Sequence, residues 1–446
     1  MKITYILPAI GKKSGEKYIK TWRLMEPLVI STLKALTPNH IETEFFDDRM
    51  ELIDYNTKTD LVIISVEMYT SNRAYKIAAE FRQRGVKVVG GGYHPTLMPE
   101  ESLRYFDCVV LGNAESFWRE LLEDAEKGEL KTRYEGCNGF KPGLYPDRSI
   151  YGNKKYSILG LVETGRGCVF NCEFCTITST YKQKYYRRPI EDVVEDIKQS
   201  GKKYFFFVDD NIVADEAYAI ALFKALIPLK IKWSGQGSLT MARNEELLQV
   251  MKDSGCMVIL IGYESMNIDN LIQMGKQWTV NMGERDALTE KIHSYGIGIY
   301  ATFVFGNEGD KEEVFEESLA FSMKHKFFFV AFNHLLPFPG TRLHDRLLDE
   351  DRLHEDEWWL KDGYKYGDIP YDPIGWTPDG LSDKCADLRR CFFNVKSIIK
   401  RSTAAVKRQP SLFILFVFLS QNMNLRREVD EKLRLPVGCG LDELPK

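Results

Sequence analysis

The chain has 446 residues, with 60 lysines and arginines against 64 aspartates and glutamates, so its formal charge at pH 7 is −4. A protein with this charge has no overall attraction to nucleic acid, and we expect no nucleic-acid partner. Hydrophobic residues make up 44% of the chain and charged residues 28%. This composition excludes fibrous and disordered classes and favours a globular protein of roughly two or three domains.

The N-terminus begins with the strand-like segment MKITYIL and shows no secretory signal, so we expect a cytoplasmic protein. The longest apolar run, residues 412–419, is too short for a transmembrane segment, which needs ~18–20 residues. We interpret it as a buried helix, with contact to a membrane surface or a lipid as the alternative. The nine cysteines favour metal binding over a disulfide framework.

Residues 1–140 alternate short β-rich runs with amphipathic helical stretches, which is typical of a parallel sheet covered by helices. Helical spacing occurs at 24–36 and 71–84. Strands are predicted at 3–7, 41–46, 61–66, 86–90 and 108–111. This number and order of strands predicts a flavodoxin-like, Rossmann-type domain.

Glycine and proline are frequent at 128–156, and we set a linker at 141–156. Residues 157–340 contain a second β/α series. Its strands are predicted at 161–164, 204–208, 232–235, 258–262, 299–305 and 328–333, and its main helices at 190–199, 217–226, 245–254, 284–293 and 312–324. The series predicts a partial TIM-type (β/α)6 barrel with reactive groups at the carboxyl ends of its strands. Residues 341–446 are predicted to form a helical region that closes one side of the barrel.

Three cysteines, Cys168, Cys172 and Cys175, follow the first barrel strand with the spacing C-x3-C-x2-C. Thiolates bind zinc or iron–sulfur clusters. A structural zinc site needs four ligands, and no fourth His or Cys lies nearby in the sequence. Three thiolates would instead leave one iron of a [4Fe–4S] cluster open to a cosubstrate. The alternative is a loop with three unpaired thiols.

This motif, with an aromatic residue before its last cysteine, resembles the radical S-adenosylmethionine (SAM) superfamily. The resemblance implies a [4Fe–4S] cluster that cleaves SAM reductively to a 5′-deoxyadenosyl radical, and an external electron donor such as flavodoxin or ferredoxin. The implied SAM contacts are Phe174, Asp209, Asp210, Gln236, Glu264 and Ser265. The alternatives are capping of the following helix by Asp209 or Asp210, and ordinary loop capping by the last three.

The segment 336–341, LPFPGT, and the first domain resemble the superfamily branch that carries an N-terminal cobalamin-binding domain. Three successive glycines at 90–92 let the backbone approach a large flat ligand. The implied cobalamin contacts are Glu67, Met68, Tyr69, Thr70, Gly91, Gly92, His94, Pro95, Thr96, Gly112 and Glu115. No Asp-x-His-x-x-Gly occurs, so a histidine ligand to cobalt of the methionine synthase type is not supported. His94 is interpreted mainly as a packing residue, with axial ligation of cobalt as the alternative. Asn113 replaces an acidic residue usual in this branch.

The resemblance implies a cobalamin-dependent radical SAM enzyme that modifies an unactivated carbon, with C-methylation as the leading expectation. Two alternatives stay open: oxidation or ring formation, as in the anaerobic magnesium-protoporphyrin cyclase, and a cobalamin or redox sensor. We expect a small-molecule or lipid-like substrate and assign no catalytic residue. The six other cysteines are scattered, so no auxiliary cluster is expected.

Overall fold

The computed structural model describes residues 1–12 and 24–439. The N-terminal strands are β1 Lys2–Leu7, β2 Glu42–Asp47, β3 Leu61–Ser65, β4 Lys87–Gly91, β5 Cys108–Leu111 and β6 Arg133–Glu135. The helices here are α1 Leu28–Leu36, α2 Ser71–Gln83, α3 Tyr93–Leu97, α4 Pro99–Ser102 and α5 Trp118–Lys127. The strands form one parallel sheet in the order β2-β1-β3-β4-β5-β6. The order of the first five is that of flavodoxin-like domains, so the predicted fold is confirmed.

The central strand β3 shows why these segments form a sheet with two covered faces. Its sequence LVIIS is almost wholly apolar and rich in β-branched residues. Leu61 and Ile63 pack into one core cluster, whereas Val62 and Ile64 pack into another on the opposite face. Strands buried on both faces are typical of parallel sheets between helices. A ligand can therefore approach this sheet only at the strand ends.

Two N-terminal boundaries differ from the sequence prediction. The first helix begins at Leu28 because Pro27, with φ −77° and ψ 102°, holds the backbone extended just before it. The sixth strand, β6, was not predicted, because three residues are too few to show a period.

The barrel strands are β7 Leu159–Val162, β8 Gly165–Gly167, β9 Tyr185–Arg187, β10 Tyr204–Phe207, β11 Lys232–Gly237, β12 Cys256–Glu264, β13 Gly298–Phe305 and β14 Phe329–His334. Six of them form a parallel sheet in the order β14-β13-β12-β11-β10-β7, and β8 pairs antiparallel with β9. The helices are α6 Thr176–Tyr181, α7 Ile190–Ser200, α8 Glu216–Leu226, α9 Glu245–Asp253, α10 Ile268–Gln273, α11 Gln277–Val280, α12 Arg285–Ser294, α13 Glu312–Lys324 and α14 Arg342–Asp349. The six parallel strands confirm the predicted partial barrel.

The C-terminal region is helical, as predicted, with α15 Pro378–Phe392, α16 Val395–Arg408 and α17 Leu412–Lys432. The apolar run at the start of α17 is only partly buried, which corrects its interpretation as a buried helix. Ile414 and Phe418 pack in a core cluster with Phe328, but Leu412 is 87% exposed and Phe416 67%. The 3.6-residue helical period separates these two faces. Among the described residues, no helix has the length and apolar character needed to cross a membrane.

Candidate functional site

The three cysteines of the C-x3-C-x2-C motif lie on one loop between β8 and α6, at the carboxyl end of β7. All three thiols are free, with Cys172 buried and Cys168 and Cys175 half-buried. The backbone amide of Cys175 donates to the carbonyl oxygen of Cys172 at 3.4 Å, so these two cysteines share a turn. Burial raises the pKa of Cys172 to about 12, and both other cysteines add to this rise. The three cysteines therefore share one poorly solvated loop.

A buried ion pair lies beside this loop. Lys276 donates to the carboxylate of Glu264, and its Nζ lies 5.9 Å from the centre of the Phe174 ring. The ammonium charge lowers the pKa of Cys172 against the effect of burial. Glu264, a predicted SAM contact, is therefore paired with a lysine whose charge favours the thiolate form of Cys172.

Sequence reasoning missed Lys276. The glycine before it is the signal that could have found it, because a Cβ on Gly275 would lie 2.5 Å from the carbonyl oxygen of Asn171 in the cysteine loop. The amide of Glu173 also donates to the carbonyl of Met274 at 3.0 Å. The segment before α11 thus runs directly along the cysteine loop.

Asp209 and Asp210 follow β10 and hold the entry to the cysteine loop. Asp209 is buried, and its two oxygens accept from the hydroxyl and the amide of Thr164 at 2.6 and 3.0 Å. One oxygen of Asp210 accepts from the amide of Gly167 at 2.8 Å. Burial is the main cause that raises the pKa of Asp209 to about 7 and that of Asp210 to about 6.

The helix-capping alternative for these two carboxylates is wrong. The cap of α8 is Asp215, whose side chain accepts from the amide of Tyr218 at 3.0 Å. Asn211, which follows Asp210, lies against the cysteine loop, with its side-chain nitrogen 3.7 Å from the sulfur of Cys168. The role of Asp209 and Asp210 as SAM contacts stays a prediction.

The two remaining predicted SAM contacts lie at the ends of neighbouring strands. The side chain of Gln236 is half-buried in β11. The backbone carbonyl of Gln236 accepts from the backbone amide of Ile212 at 2.9 Å. Ser265 is buried after β12, and its hydroxyl accepts from the amide of Asn267 at 3.1 Å and the side chain of Asn270 at 3.2 Å. These bonds agree with the loop-capping alternative for Ser265, and SAM contact by either residue stays a prediction.

The predicted cobalamin contacts lie together at the carboxyl edge of the N-terminal sheet. Gly92 has φ 113°, and a Cβ there would lie 2.6 Å from the carbonyl oxygen of Val66, so a side chain is excluded. The hydroxyl of Thr96 donates to the carbonyl of Gly92 at 2.7 Å and accepts from the amide of Gly112 at 3.0 Å. The neighbouring loop is closed by Thr70, whose hydroxyl accepts from the amide of Glu67 at 3.0 Å.

Other members of the predicted set surround these loops. Gly91 ends β4, Pro95 is buried in α3, and the ring of Tyr69 lies 5.1 Å from that of Tyr366 in the C-terminal region. A cavity of about 170 Å³ opens between this edge and the cysteine loop. It is lined by Glu67, Met68, Tyr93, His94, Leu97, Thr176, Phe338 and Pro339.

His94 belongs to a buried polar network, as its interpretation as a packing residue predicts. Its Nε2 lies 3.0 Å from Glu101 and 3.1 Å from the hydroxyl of Tyr75, and Glu101 also accepts from Trp359 at 2.9 Å. Its Nδ1 has no hydrogen-bond partner among the described residues. This leaves one ring nitrogen of His94 available beside the cavity.

Comparison with known proteins agrees with this arrangement. The chain matches the radical SAM superfamily over residues 162–321 and the B12 binding domain over residues 37–122. It is 30% identical to bacteriochlorophyllide d C-8(2)-methyltransferase of Chlorobaculum tepidum, over 74% of this chain and 78% of that protein. The chain belongs to the radical SAM superfamily. Within it, this radical SAM enzyme is a member of the branch with a B12-binding domain.

Two matches extend over nearly the whole radical SAM enzyme. Bacteriochlorophyllide d C-12(1)-methyltransferase of C. tepidum is 28% identical, over 96% of this chain and 98% of that protein. The structure of the radical SAM methyltransferase TsrM from Kitasatospora setae, with cobalamin and a [4Fe–4S] cluster bound, has a TM-score of 0.69 at 14% identity and covers 96% of this chain and 99% of that one. The fold is thus confirmed, and the family's cofactors are a [4Fe–4S] cluster, SAM and cobalamin.

The two halves of the radical SAM enzyme are joined next to the cysteine loop. Arg166 donates to Glu115 of the N-terminal sheet at 2.5 Å and to Glu163 at 2.7 Å. Helix α3 of the N-terminal domain also lies against α6, the helix that follows the cysteine loop. Glu115, a predicted cobalamin contact, therefore has a role between the two halves that the sequence did not reveal.

The donor groups fit the implied cofactors. Three free thiols on one loop match a cluster with one open iron. The apolar lining of the cavity suits a corrin, and the unpaired Nδ1 of His94 adds a polar group. The cavity is smaller than the ~300–1,000 Å³ of typical small-molecule sites, so side chains such as Tyr93 and Phe338 would have to move apart to admit a corrin.

Proposed function

We propose that this radical SAM enzyme transfers a methyl group to an unactivated carbon of a small molecule, and that this molecule is a chlorin-type tetrapyrrole. The cavity between the two halves carries the proposal, because it places Thr176, next to the last motif cysteine, opposite Tyr93 and His94 of the N-terminal domain. A methyl donor at one wall and a radical generator at the other would then act on one substrate.

The bound cofactors would supply the chemistry: the cluster with SAM supplies a carbon-centred radical, and cobalamin supplies the methyl group. The protein's own residues hold and shield them. Cys168, Cys172 and Cys175 would ligate the cluster, while the bond from Gly167 to Asp210 fixes the start of their loop. The apolar side chains around the cavity would exclude water from the radical.

The substrate class is supported by the names of both C. tepidum relatives, which are bacteriochlorophyllide methyltransferases. The lining of the cavity agrees with a flat apolar molecule, because Met68, Leu97, Phe338 and Pro339 are half of its lining residues. Methyl transfer is favoured over ring formation because both relatives are methyltransferases by name. No observation on the described residues favours a sensor.

The remaining assignments complete the proposal. We assign SAM contact to Phe174, Asp209, Asp210, Gln236, Glu264 and Ser265, and corrin contact to the loops 67–70, 91–96 and 112–115. The domains would be 1–140, 157–340 and 341–446, joined by the linker 141–156. Reduction of the cluster would come from an external flavodoxin or ferredoxin. A cytoplasmic location would keep the ligating thiols reduced.

The test is anaerobic reconstitution of the full chain with iron, sulfide and cobalamin, followed by reaction with bacteriochlorophyllide, reduced flavodoxin and SAM carrying a deuterated methyl group. We expect a product heavier by one labelled methyl group, together with deoxyadenosine. The Cys172→Ala variant, reconstituted in parallel, should give neither.

Each other outcome has a definite meaning. A product that has lost hydrogen atoms relative to the substrate and carries no label would support the oxidation or ring-forming alternative. Deoxyadenosine without any change in bacteriochlorophyllide would contradict the proposed substrate. A labelled product from a lipid or a peptide would then identify the substrate class instead. Cofactor uptake without any cleavage of SAM would favour a sensor.

A further inference from the structure

Three metal-ligating side chains come together on helices that the cysteine loop does not touch. Glu290 and His293 are three residues apart on α12, so they share one helix face, and His325 directly follows α13. One ligand atom from each residue lies within 4.8 Å of the other two. Both helices end here, just before the amino ends of β13 and β14, whereas the cysteine loop lies at the carboxyl edge of the sheet.

His293 is the least satisfied member of this group. Its side chain is buried, with 5% of the residue exposed, yet neither ring nitrogen has a hydrogen-bond partner among the described residues. An unpaired polar group in the interior is destabilising, and such groups are rare in folded proteins. An imidazole in this position is expected to have a ligand.

His325 is already oriented as histidine ligands of metals usually are. Its Nε2 lies 2.7 Å from a carboxylate oxygen of Asp286, and its Nδ1 faces Glu290 at 2.7 Å. A carboxylate on one ring nitrogen and a metal on the other is the common second-shell arrangement of metal-binding histidines. Asp286 is thereby suited to fix the ring while Nδ1 binds the ion.

The charges around the group balance before any ion binds. Lys324 donates to Asp286, and Arg408 donates to the backbone carbonyls of His325 and Lys326 at 2.7 and 2.9 Å. Two carboxylates therefore face two cations. The side chain of Glu290 is 64% exposed, so it can swing to make room for an ion and leave a fourth position to water.

We propose that Glu290, His293 and His325 bind one zinc ion, with Asp286 as the positioning residue. Two imidazoles, a carboxylate and a water make up a tetrahedral set that suits zinc. The ion would link α12 to α13, and hence brace the helices that lead into two neighbouring barrel strands. This site is independent of the proposed methyl transfer, and either can fail alone.

The test uses the full chain with its cluster reconstituted, so that iron and sulfide occupy the motif thiols, followed by dialysis against a chelator. Zinc is then added, and bound metal and melting temperature are measured. We expect the parent to bind one more zinc ion than His293→Leu, and zinc to raise the melting temperature of the parent but not that of His293→Leu. Asp286→Asn should weaken zinc binding ~10–100-fold.

The matched control is His40→Leu, which removes an exposed histidine paired with Glu126 and should behave as the parent. If His293→Leu does not fold, Glu290→Gln on an exposed side chain serves the same purpose and should also lose the ion. Equal zinc content in the parent and both variants would overturn the proposal, as would a melting temperature of the parent that does not respond to zinc.

Discussion

The two strand-end regions that face each other across the cavity are built differently. The cysteine loop is held by buried polar contacts, with Asp209 on Thr164 and Asp210 on Gly167. The edge of the N-terminal sheet offers mainly apolar or aromatic side chains around a small cavity, next to the close backbone contact of Gly92 with Val66. A cluster needs ligands in fixed positions, whereas a large flat ligand needs a surface that can part. The first region is preorganised, and the second has to open.

The largest effect should come from removing one ligand in the preorganised region. We expect Cys172→Ala to abolish both cluster assembly and deoxyadenosine formation, because two thiolates cannot replace three. Cobalamin uptake should persist, since the N-terminal edge is unchanged. Iron, sulfide and cobalamin contents measure this separation. The control is Cys137→Ala, at an exposed thiol, and a Cys172 variant with full iron and sulfide would contradict the assignment.

A side chain at the glycine edge should have the opposite pattern. Gly92→Val places a Cβ against the carbonyl of Val66 at a left-handed φ, so we expect loss of cobalamin and a decrease in the free energy of unfolding of about 2–5 kcal/mol. The cluster should still assemble. Gly85→Val is the control, because its φ is also positive, at 77°, but nothing lies within 4 Å. Equal cobalamin uptake by both variants would contradict corrin binding at this edge of the sheet.

The buried ion pair beside the cysteine loop should matter more than its exposed counterparts. Lys276→Met leaves the carboxylate of Glu264 unpaired, so we expect the free energy of unfolding to fall by about 3–5 kcal/mol. The double variant with Glu264→Leu should recover part of this loss. Lys291→Met, which breaks an exposed pair with Glu245, should cost about 0–1 kcal/mol. Denaturant unfolding decides, and equal losses for both lysines would contradict the buried role.

The two aspartates should differ in their effect on SAM. Asp210→Asn keeps an acceptor for Gly167 but loses the charge, and loss of a charge-assisted hydrogen bond of ~1.5–3 kcal/mol weakens binding roughly tenfold to a hundredfold. Asp209→Asn should weaken SAM binding by less than this, because both of its oxygens also accept hydrogen bonds from Thr164. Calorimetry on cluster-loaded protein measures both. Parent-like binding by Asp210→Asn would exclude this carboxylate as a SAM contact.

The stability of the protein should also depend on pH. The pKa of Asp209 rises from 3.8 to about 7 in the folded protein, mainly through burial. The folded chain therefore keeps a proton that the unfolded chain releases, and the contribution of Asp209 to stability decreases as the pH rises through this window. Asp209→Asn should flatten that decrease. Unfolding free energies measured across the window test this, and an unchanged slope in the variant would count against a raised pKa.

Features that depend on residues close together in the chain could be predicted from the sequence alone. The apolar run at 61–66 and the helical spacing at 71–84 predict elements that the structure contains as Leu61–Ser65 and Ser71–Gln83. The C-x3-C-x2-C spacing places three thiols on one loop without any knowledge of the fold. Such features are readable because their period or spacing is local in the chain.

The contacts between the cysteine loop and residues far away in the chain became visible only in the folded protein. Lys276 lies beside Cys172 although about a hundred residues separate them, and Arg166 reaches Glu115 in the other half of the chain. The partners of Asp209 belong to the preceding strand end and not to the following helix, so its local pattern suggested a cap that the folded chain places at Asp215. Neighbouring strand ends meet through sheet pairing, and that pairing joins side chains whose separation in sequence carries no period.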